Sequence, residues 1–360
     1  MRDLLLEDKM TAANCTKEAN LSKDAVLLPT FYILVFVVVV VINACGTRCL
    51  VRNWKKHRII NIFIINLGLA NLLYILTHPF IIDLYLKGNK WDFGQFFCKV
   101  TRFCFKLNLY GSIGFLACIS VYRYLSIVHP MKVMGKITTT HSVVISVLVW
   151  ILASVGSLPD VIYPKQSGNT TESKECLPAT DKDHIEEYFY YNLTWTVFGF
   201  CIPFIIIAGC YGHVTLVICR SNTMTKEMKQ QLLKLLVVLI VLFSLCYTPY
   251  HVLKNLSVYA KVRCCSGECP DWYDNVSIAR YVSRGLVSLN SALNPLVNMC
   301  VSEDVGAQFR QQLQEYREMF SRCFKLKSSS EPVPQAEKEA EPLLVRELSC
   351  FCLCGFFLCW

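Results

Sequence analysis

Apolar residues along this chain come in long blocks, and the polar residues gather in short clusters between them. The block from Pro29 to Thr47 holds no charged residue. Six more follow, at about Ile59–Leu86, Gln95–Val128, His141–Tyr163, Tyr188–Cys219, Gln231–Tyr259 and Val276–Val301. The hydrocarbon core of a bilayer, about 30 Å thick, needs about 20 mostly apolar residues as helix. Every block is long enough. Backbone groups in lipid must pair within their own segment, so the blocks are predicted to be helices. Beyond the seventh, Val305, Phe309, Leu313, Tyr316 and Phe320 recur at helical spacing and predict a short helix lying on the membrane surface. The fold class expected is an all-α membrane protein: a seven-transmembrane helix bundle with a short amphipathic eighth helix.

Composition agrees. Of the 360 residues 54% are hydrophobic and 18% charged, against about 25% charged in soluble domains. The net charge of +9 does not point to nucleic acid, because the basic residues mark loops. Arg48, Arg52, Lys55, Lys56 and Arg58 follow the first block, Arg220, Lys226 and Lys229 the fifth, and Arg310, Arg317, Arg322, Lys325 and Lys327 the seventh. Positive-inside bias puts these in the cytosol and the N-terminus outside. The expected organisation is an extracellular N-terminus (1–27), the bundle (28–302), the surface helix (303–322) and a cytoplasmic tail (323–360), in a multi-pass plasma-membrane protein. The first 25 residues lack the compact apolar core of a cleavable signal, so the first helix is expected to serve as the targeting signal. Glycosylation sequons at Asn14, Asn20 and Asn169 fall on the outer face; those at Asn192, Asn255 and Asn275 lie at or inside helix ends. Residues 328–347 read as disordered. Cys350, Cys352, Cys354 and Cys359, set among Phe, Leu and Trp, are candidates for lipidation or membrane contact.

Six basic side chains, five of them Arg or Lys, sit where charge is expensive. Arg102 and Lys106 lie in the outer half of the third block, His251 and Lys254 in the sixth, and Arg280 and Arg284 in the seventh. Spacings of three and four put each pair on one helix face. An Arg or Lys facing lipid near a helix centre costs about 2.5–3.5 kcal/mol. These faces are therefore expected to turn inward onto a wet cavity, where intramembrane ionisable groups mark a ligand path. Converging like charges repel, and an anion relieves the repulsion; Arg grips phosphate or carboxylate through parallel hydrogen bonds. Tyr110, a turn below Lys106, and Tyr250 and Tyr281 are placed to stack on a ring. Asp83 and Asp160 lie near the outer ends of the second and fourth blocks and would neutralise part of such a cavity.

Cys98 opens the third block and Cys176 lies in the long second outer loop; a bridge between them would pin that loop over the cavity mouth. Cys15 could tether the N-terminus to Cys264, Cys265 or Cys269. An oxidising compartment favours disulfides over a zinc site at that cluster. No phosphate-binding G-x-x-x-x-G-K loop, G-x-S-x-G elbow or H-E-x-x-H pair occurs. No catalytic residue, metal site or cofactor is expected. Neither is a transporter built from inverted repeats, since no internal repeat is evident.

Over about 28–320 the pattern resembles class A G-protein-coupled receptors, specifically the metabotropic purine and pyrimidine nucleotide receptors. The class-level landmarks are Asn43, Trp91-Asp92-Phe93-Gly94 before Cys98, Arg123, Trp150, Pro203 with Tyr211, Phe243 with Pro249, and Asn294-Pro295. Closer to the nucleotide branch are the stretches Phe105 to Ser112, Pro249 to Lys254 and Ser283 to Leu286. The resemblance implies a ligand pocket at Arg102, Lys106, Tyr110, His251, Lys254, Tyr281 and Arg284, with coupling to a heterotrimeric G protein near Arg123 and Tyr211. Expected partners are thus an extracellular nucleotide of the ADP, ATP or UTP type or another small anion, a G protein and membrane lipid; the alternatives are a small dicarboxylate as ligand, or a non-signalling anion-binding partner. Departures fall at the switching positions. Asn71 replaces the buried Asp of the second helix, Tyr122 precedes Arg123 where an acid or histidine is usual, Asn298 ends the Asn-Pro element in place of Tyr, and Pro178 stands where an outer-loop Asp is common.

Overall fold

The computed structural model describes residues 27–52, 58–88, 90–129, 137–162, 176, 184–220 and 226–300. Among them every regular element is a helix. In chain order these are α1 (Leu27–Arg52), α2 (Arg58–Ile75), α3 (His78–Leu86), α4 (Gly94–Val128), α5 (Thr139–Val155), α6 (Pro159–Ile162), α7 (Ile185–Thr196), α8 (Ile202–Arg220), α9 (Lys226–Cys265) and α10 (Tyr273–Cys300). The seven blocks correspond to α1, α2 with α3, α4, α5 with α6, α7 with α8, α9, and α10. The sequons at Asn14, Asn20 and Asn169, Cys15, the surface helix over 303–322 and the tail cysteines lie outside the described residues.

By length and apolar content four stretches qualify outright as membrane spans: Leu27–Ala44, Ile59–Leu86, Gly94–Val128 and Ile185–Arg220; Thr139–Val155 is a shorter apolar helix. The sixth and seventh helices are long enough, with 40 and 28 residues, but carry Lys254, Arg280 and Arg284 in their outer halves. These are charges expected to face a wet cavity in the outer half of the bundle and not lipid.

α4 is the central post, packed against α2, α5 and α8; α10 closes the ring by packing on both α9 and α1. The main core joins Tyr32, Tyr74, Phe105, Tyr110, Phe200, Phe243 and Tyr247, from the first, second, third, fifth and sixth spans. Three local departures from straight helix shape the outer half. The second span breaks at Thr77 because Pro79 cannot donate to the previous turn; the Tyr74 carbonyl accepts from the Thr77 backbone N–H at 2.9 Å and from the Thr77 hydroxyl at 2.7 Å, with His78 Nδ1 3.2 Å away, so it stays paired. The fifth span contains one π-helical turn, Val197–Cys201, between α7 and α8. It turns Phe200 inward, and a Cβ on Gly199 would sit 2.8 Å from the Tyr110 ring. At Gly285 an added Cβ would collide with the Phe31 ring, so glycine there lets α1 approach α10.

A neutral hydrogen-bonded chain crosses the middle of the bundle. Asn71 donates to Asn43 at 3.3 Å and Asn108 donates to Asn71 at 2.9 Å. Tyr247 shares hydrogen bonds with Ser112 and Asn290. Side-chain amides thus occupy the position where the resembled family places an acid.

Candidate functional site

The end of the bundle that carries Cys98 is termed outer, following the loop charges. A cavity opens there, with an empty volume of ≈ 740 Å³, part of it continuous with solvent. The third helix contributes Thr101, Arg102 and Phe105, the sixth Tyr250 and Lys254, and the seventh Arg280, Tyr281 and Arg284. Ile81, Leu84 and Trp91 wall it on the second-span side, and Cys176 and Tyr188 complete the lining. No Asp or Glu is among these residues.

The charge-spacing argument therefore finds four of its cations in one place: Arg102, Lys254, Arg280 and Arg284, with Tyr250 and Tyr281 beside them. The remaining three expected site residues lie behind the wall. Lys106 is 1% exposed, His251 2% and Tyr110 7%, and none lines the cavity. His251 stacks on Phe200, centroids 4.5 Å apart, and Tyr110 packs on Trp195 at 5.4 Å.

Arg284 has an unusual setting. Its guanidinium carbon lies 4.2 Å from the centre of the Phe105 ring, a cation–π contact. Tyr74, Tyr32, Tyr85 and Tyr250 lie within its electrostatic reach. Its Nε is buried with no hydrogen-bond partner among the described residues. Tyr32 donates to the Tyr281 carbonyl at 2.9 Å, which ties α1 to α10 beside the arginine. One turn up, Arg280 lies 4.9 Å from the Tyr281 ring centre and donates to its hydroxyl at 3.2 Å. Tyr32, Tyr74 and Tyr85 were missed by the charge pattern. Their signal is a polar tip inside an apolar run, which a buried tyrosine must direct at a partner.

Asp83, one of the two acids expected near this cavity, is engaged by a lysine. Asp83 and Asp92 each pair with Lys87, just past the end of the second span, at 2.9 Å. Hydrogen bonding to Asp92 and then Asp83 raises the Lys87 pKa above the usual lysine value. The side chain of Asp160 lies outside the described residues.

Cys98 and Cys176 form a disulfide, Cα atoms 5.4 Å apart, which brings the loop residue Cys176 to the cavity wall. Cys264 and Cys269 are bridged to each other, and Cys265 is also disulfide-bonded. That pairing removes two of the three candidates for a tether to Cys15. At the inner end Arg123, 9% exposed, hydrogen-bonds Tyr211, joining the third helix to the fifth across the site expected to meet a G protein.

A family model described as the 7 transmembrane receptor (rhodopsin family) matches residues 43–297. The purinoceptor 1 of Gallus gallus is 34% identical over 338 residues, covering 93% of this chain and 91% of the relative. The Mus musculus protein of the same name is 34% identical over 286 residues, 79% of this chain and 76% of its own. The 2-oxoglutarate receptor 1 of Rattus norvegicus is 33% identical over 308 residues, 84% of this chain and 88% of its own. All of these are receptors and none an enzyme. With one inward-facing cationic cavity at the outer end of an all-helical bundle, this chain belongs to the rhodopsin family of seven-transmembrane, G-protein-coupled receptors.

Proposed function

We propose that the chain is a plasma-membrane receptor, N-terminus extracellular, that binds an extracellular nucleotide in the outer cavity and drives guanine-nucleotide exchange on a heterotrimeric G protein at its inner end. The observation that carries this reading is the set Arg102, Lys254, Arg280 and Arg284 lining one cavity that has no acid among its described walls. Phosphate oxygens accept forked hydrogen bonds from guanidinium groups, and Tyr250 and Tyr281 offer faces for a base. The purinoceptor names of the relatives support the same ligand class. Binding acts by drawing the third, sixth and seventh helices together, and Pro249 inside α9 lets the inner part of that helix swing. The swing is driven only by the ligand's preference for one state over the other.

A second reading, a small dicarboxylate as ligand, is favoured by the burial of Lys106, Tyr110 and His251 behind the cavity wall, which leaves a shorter run of cations. The rat 2-oxoglutarate receptor among the relatives is in keeping with it. Calcium and cyclic-nucleotide responses of transfected cells to a panel of ADP, ATP, UTP and small dicarboxylates separate the two. A nucleotide response supports the first reading, a dicarboxylate response replaces it with the second, and silence to all at normal surface expression overturns both.

A further inference from the structure

Of the three expected ligand residues that miss the cavity, Lys106 stands behind an aromatic partition. The Lys106 ammonium lies 5.2 Å from the ring centre of Tyr191 and 6.0 Å from that of Tyr188. Tyr188 is shared: it also lines the outer cavity, whereas Lys106 does not. His251 stacks on Phe200 and lies 5.5 Å from the cavity-lining Tyr250 and 6.4 Å from Tyr110, ring centre to ring centre. Lys106 and Lys254 both act electrostatically on His251, so the buried group and the cavity's sixth-helix cation share one field.

We propose that Tyr188 is a size-selectivity gate separating the outer cavity from a deeper compartment whose cation is Lys106. With the gate shut, the cavity offers Arg102, Lys254, Arg280 and Arg284 and accepts a compact anion. With Tyr188 turned aside, Lys106 joins the same space and a longer polyanion, such as a phosphate chain, is held from both compartments.

The partition belongs to a helix that can turn as a unit. Tyr188 is held by side-chain packing with Ile185, Val258 and Cys265, between the outer ends of α7 and α9. The helix that carries it ends in the π-turn Val197–Cys201. A π-turn has already given up the regular helical ladder, and such turns recur at functional sites. A small rotation of α7 about that turn moves Tyr188 and Tyr191 together. The gate rests on the proposed function in taking the cavity as the ligand's place; the barrier itself is measured without a ligand.

The test uses the full-length receptor on intact cells, with Lys106→Cys as reporter and a membrane-impermeant anionic methanethiosulfonate as probe, against the parent chain as baseline for its own cysteines. Labelling is expected to be slow with Tyr188 present, to stay slow with Tyr188→Phe, and to speed up about tenfold with Tyr188→Ala, as follows if opening becomes easier by about 1.4 kcal/mol. Tyr188→Leu replaces Tyr188→Ala if the latter fails to reach the surface. Rapid labelling with Tyr188 intact, or an unchanged rate once its ring is removed, overturns the gate. A receptor silent to every ligand still yields these rates, so failure of the gate and failure of the nucleotide reading are seen separately.

Discussion

Arg284 lies face-on to Phe105, its guanidinium carbon 4.2 Å from the ring centre, with the hydroxyl-bearing rings of Tyr32, Tyr74, Tyr85 and Tyr250 around it. The charge is thereby held by a π face and neutral dipoles drawn from the first, second, third and sixth spans. Such a shell lowers the cost of burying a cation without cancelling its charge. An incoming anion meets a preoriented donor whose Nε has no hydrogen-bond partner among the described residues.

Arg284→Ala is therefore expected to weaken the ligand response about ten- to a hundred-fold, the loss of one desolvated hydrogen bond to a charged group being worth about 1.5–3 kcal/mol. Lys254→Ala, on the adjoining sixth helix, should fall in the same range. Arg284→Lys should recover little, because an ammonium has neither the planar fork nor the stacking face that Phe105 uses. Dose–response curves at matched surface expression decide it. An unchanged midpoint in both alanine variants would remove the pocket assignment.

The amide chain through Asn43, Asn71 and Asn108 leads to a second expectation. A hard cation such as sodium is held by anionic or several convergent oxygens, and here the amide oxygens of Asn71 and Asn43 already accept protein hydrogen bonds at 2.9 and 3.3 Å. Ligand affinity should be the same in sodium chloride and in choline chloride of equal ionic strength. Asn71→Asp should introduce sodium dependence. Sodium sensitivity in the unaltered chain would contradict the neutral network.

The Cys98–Cys176 bridge places a loop residue in the cavity wall. Closing a long loop covalently stabilises a fold by about 2–4 kcal/mol. Cys98→Ser, Cys176→Ser and the double variant should lose surface expression and ligand response to the same extent, because each breaks the same bond. Additive losses in the double variant would show that the two cysteines act separately.

Much of this arrangement was legible in the sequence, and the misses have identifiable causes. Charge cost alone brought Arg102, Lys254, Arg280 and Arg284 to one cavity, since lipid leaves a buried cation few other places to go. The break at Thr77 follows from Pro79, whose missing N–H is a local property. Spacing could not separate Arg102 from Lys106. They share a helix face, yet one turn of depth carries Lys106 from the open cavity to the tyrosines of the fifth span, and which neighbour covers a given turn is set by long-range packing. The π-turn at Val197–Cys201 left no mark in the apolar run, because an extra residue in one turn changes which side chain faces inward without changing composition. The tyrosine shell of Arg284 was hidden for a related reason. Tyr32, Tyr74 and Tyr85 are far apart in sequence and meet only once α1 and the second span close around α10.

Gly285 gives a prediction in which two effects have opposite signs. In the interior of a helix, glycine is less favourable than alanine by about 1 kcal/mol, so propensity alone says that Gly285→Ala should stabilise the receptor. The added Cβ, however, would run into the Phe31 ring. That ring is wedged edge-on against Tyr32, 5.9 Å between centroids, and packs against two apolar clusters, so it has little room to retreat. Overpacking of this kind costs about 1–3 kcal/mol, and the clash should win. Gly285→Ala is expected to lower the thermal midpoint of the detergent-solubilised receptor. In a Phe31→Ala background the obstacle is gone, and the same substitution should become neutral or stabilising. A lowered midpoint in both backgrounds would place the cause outside the contact between α1 and α10.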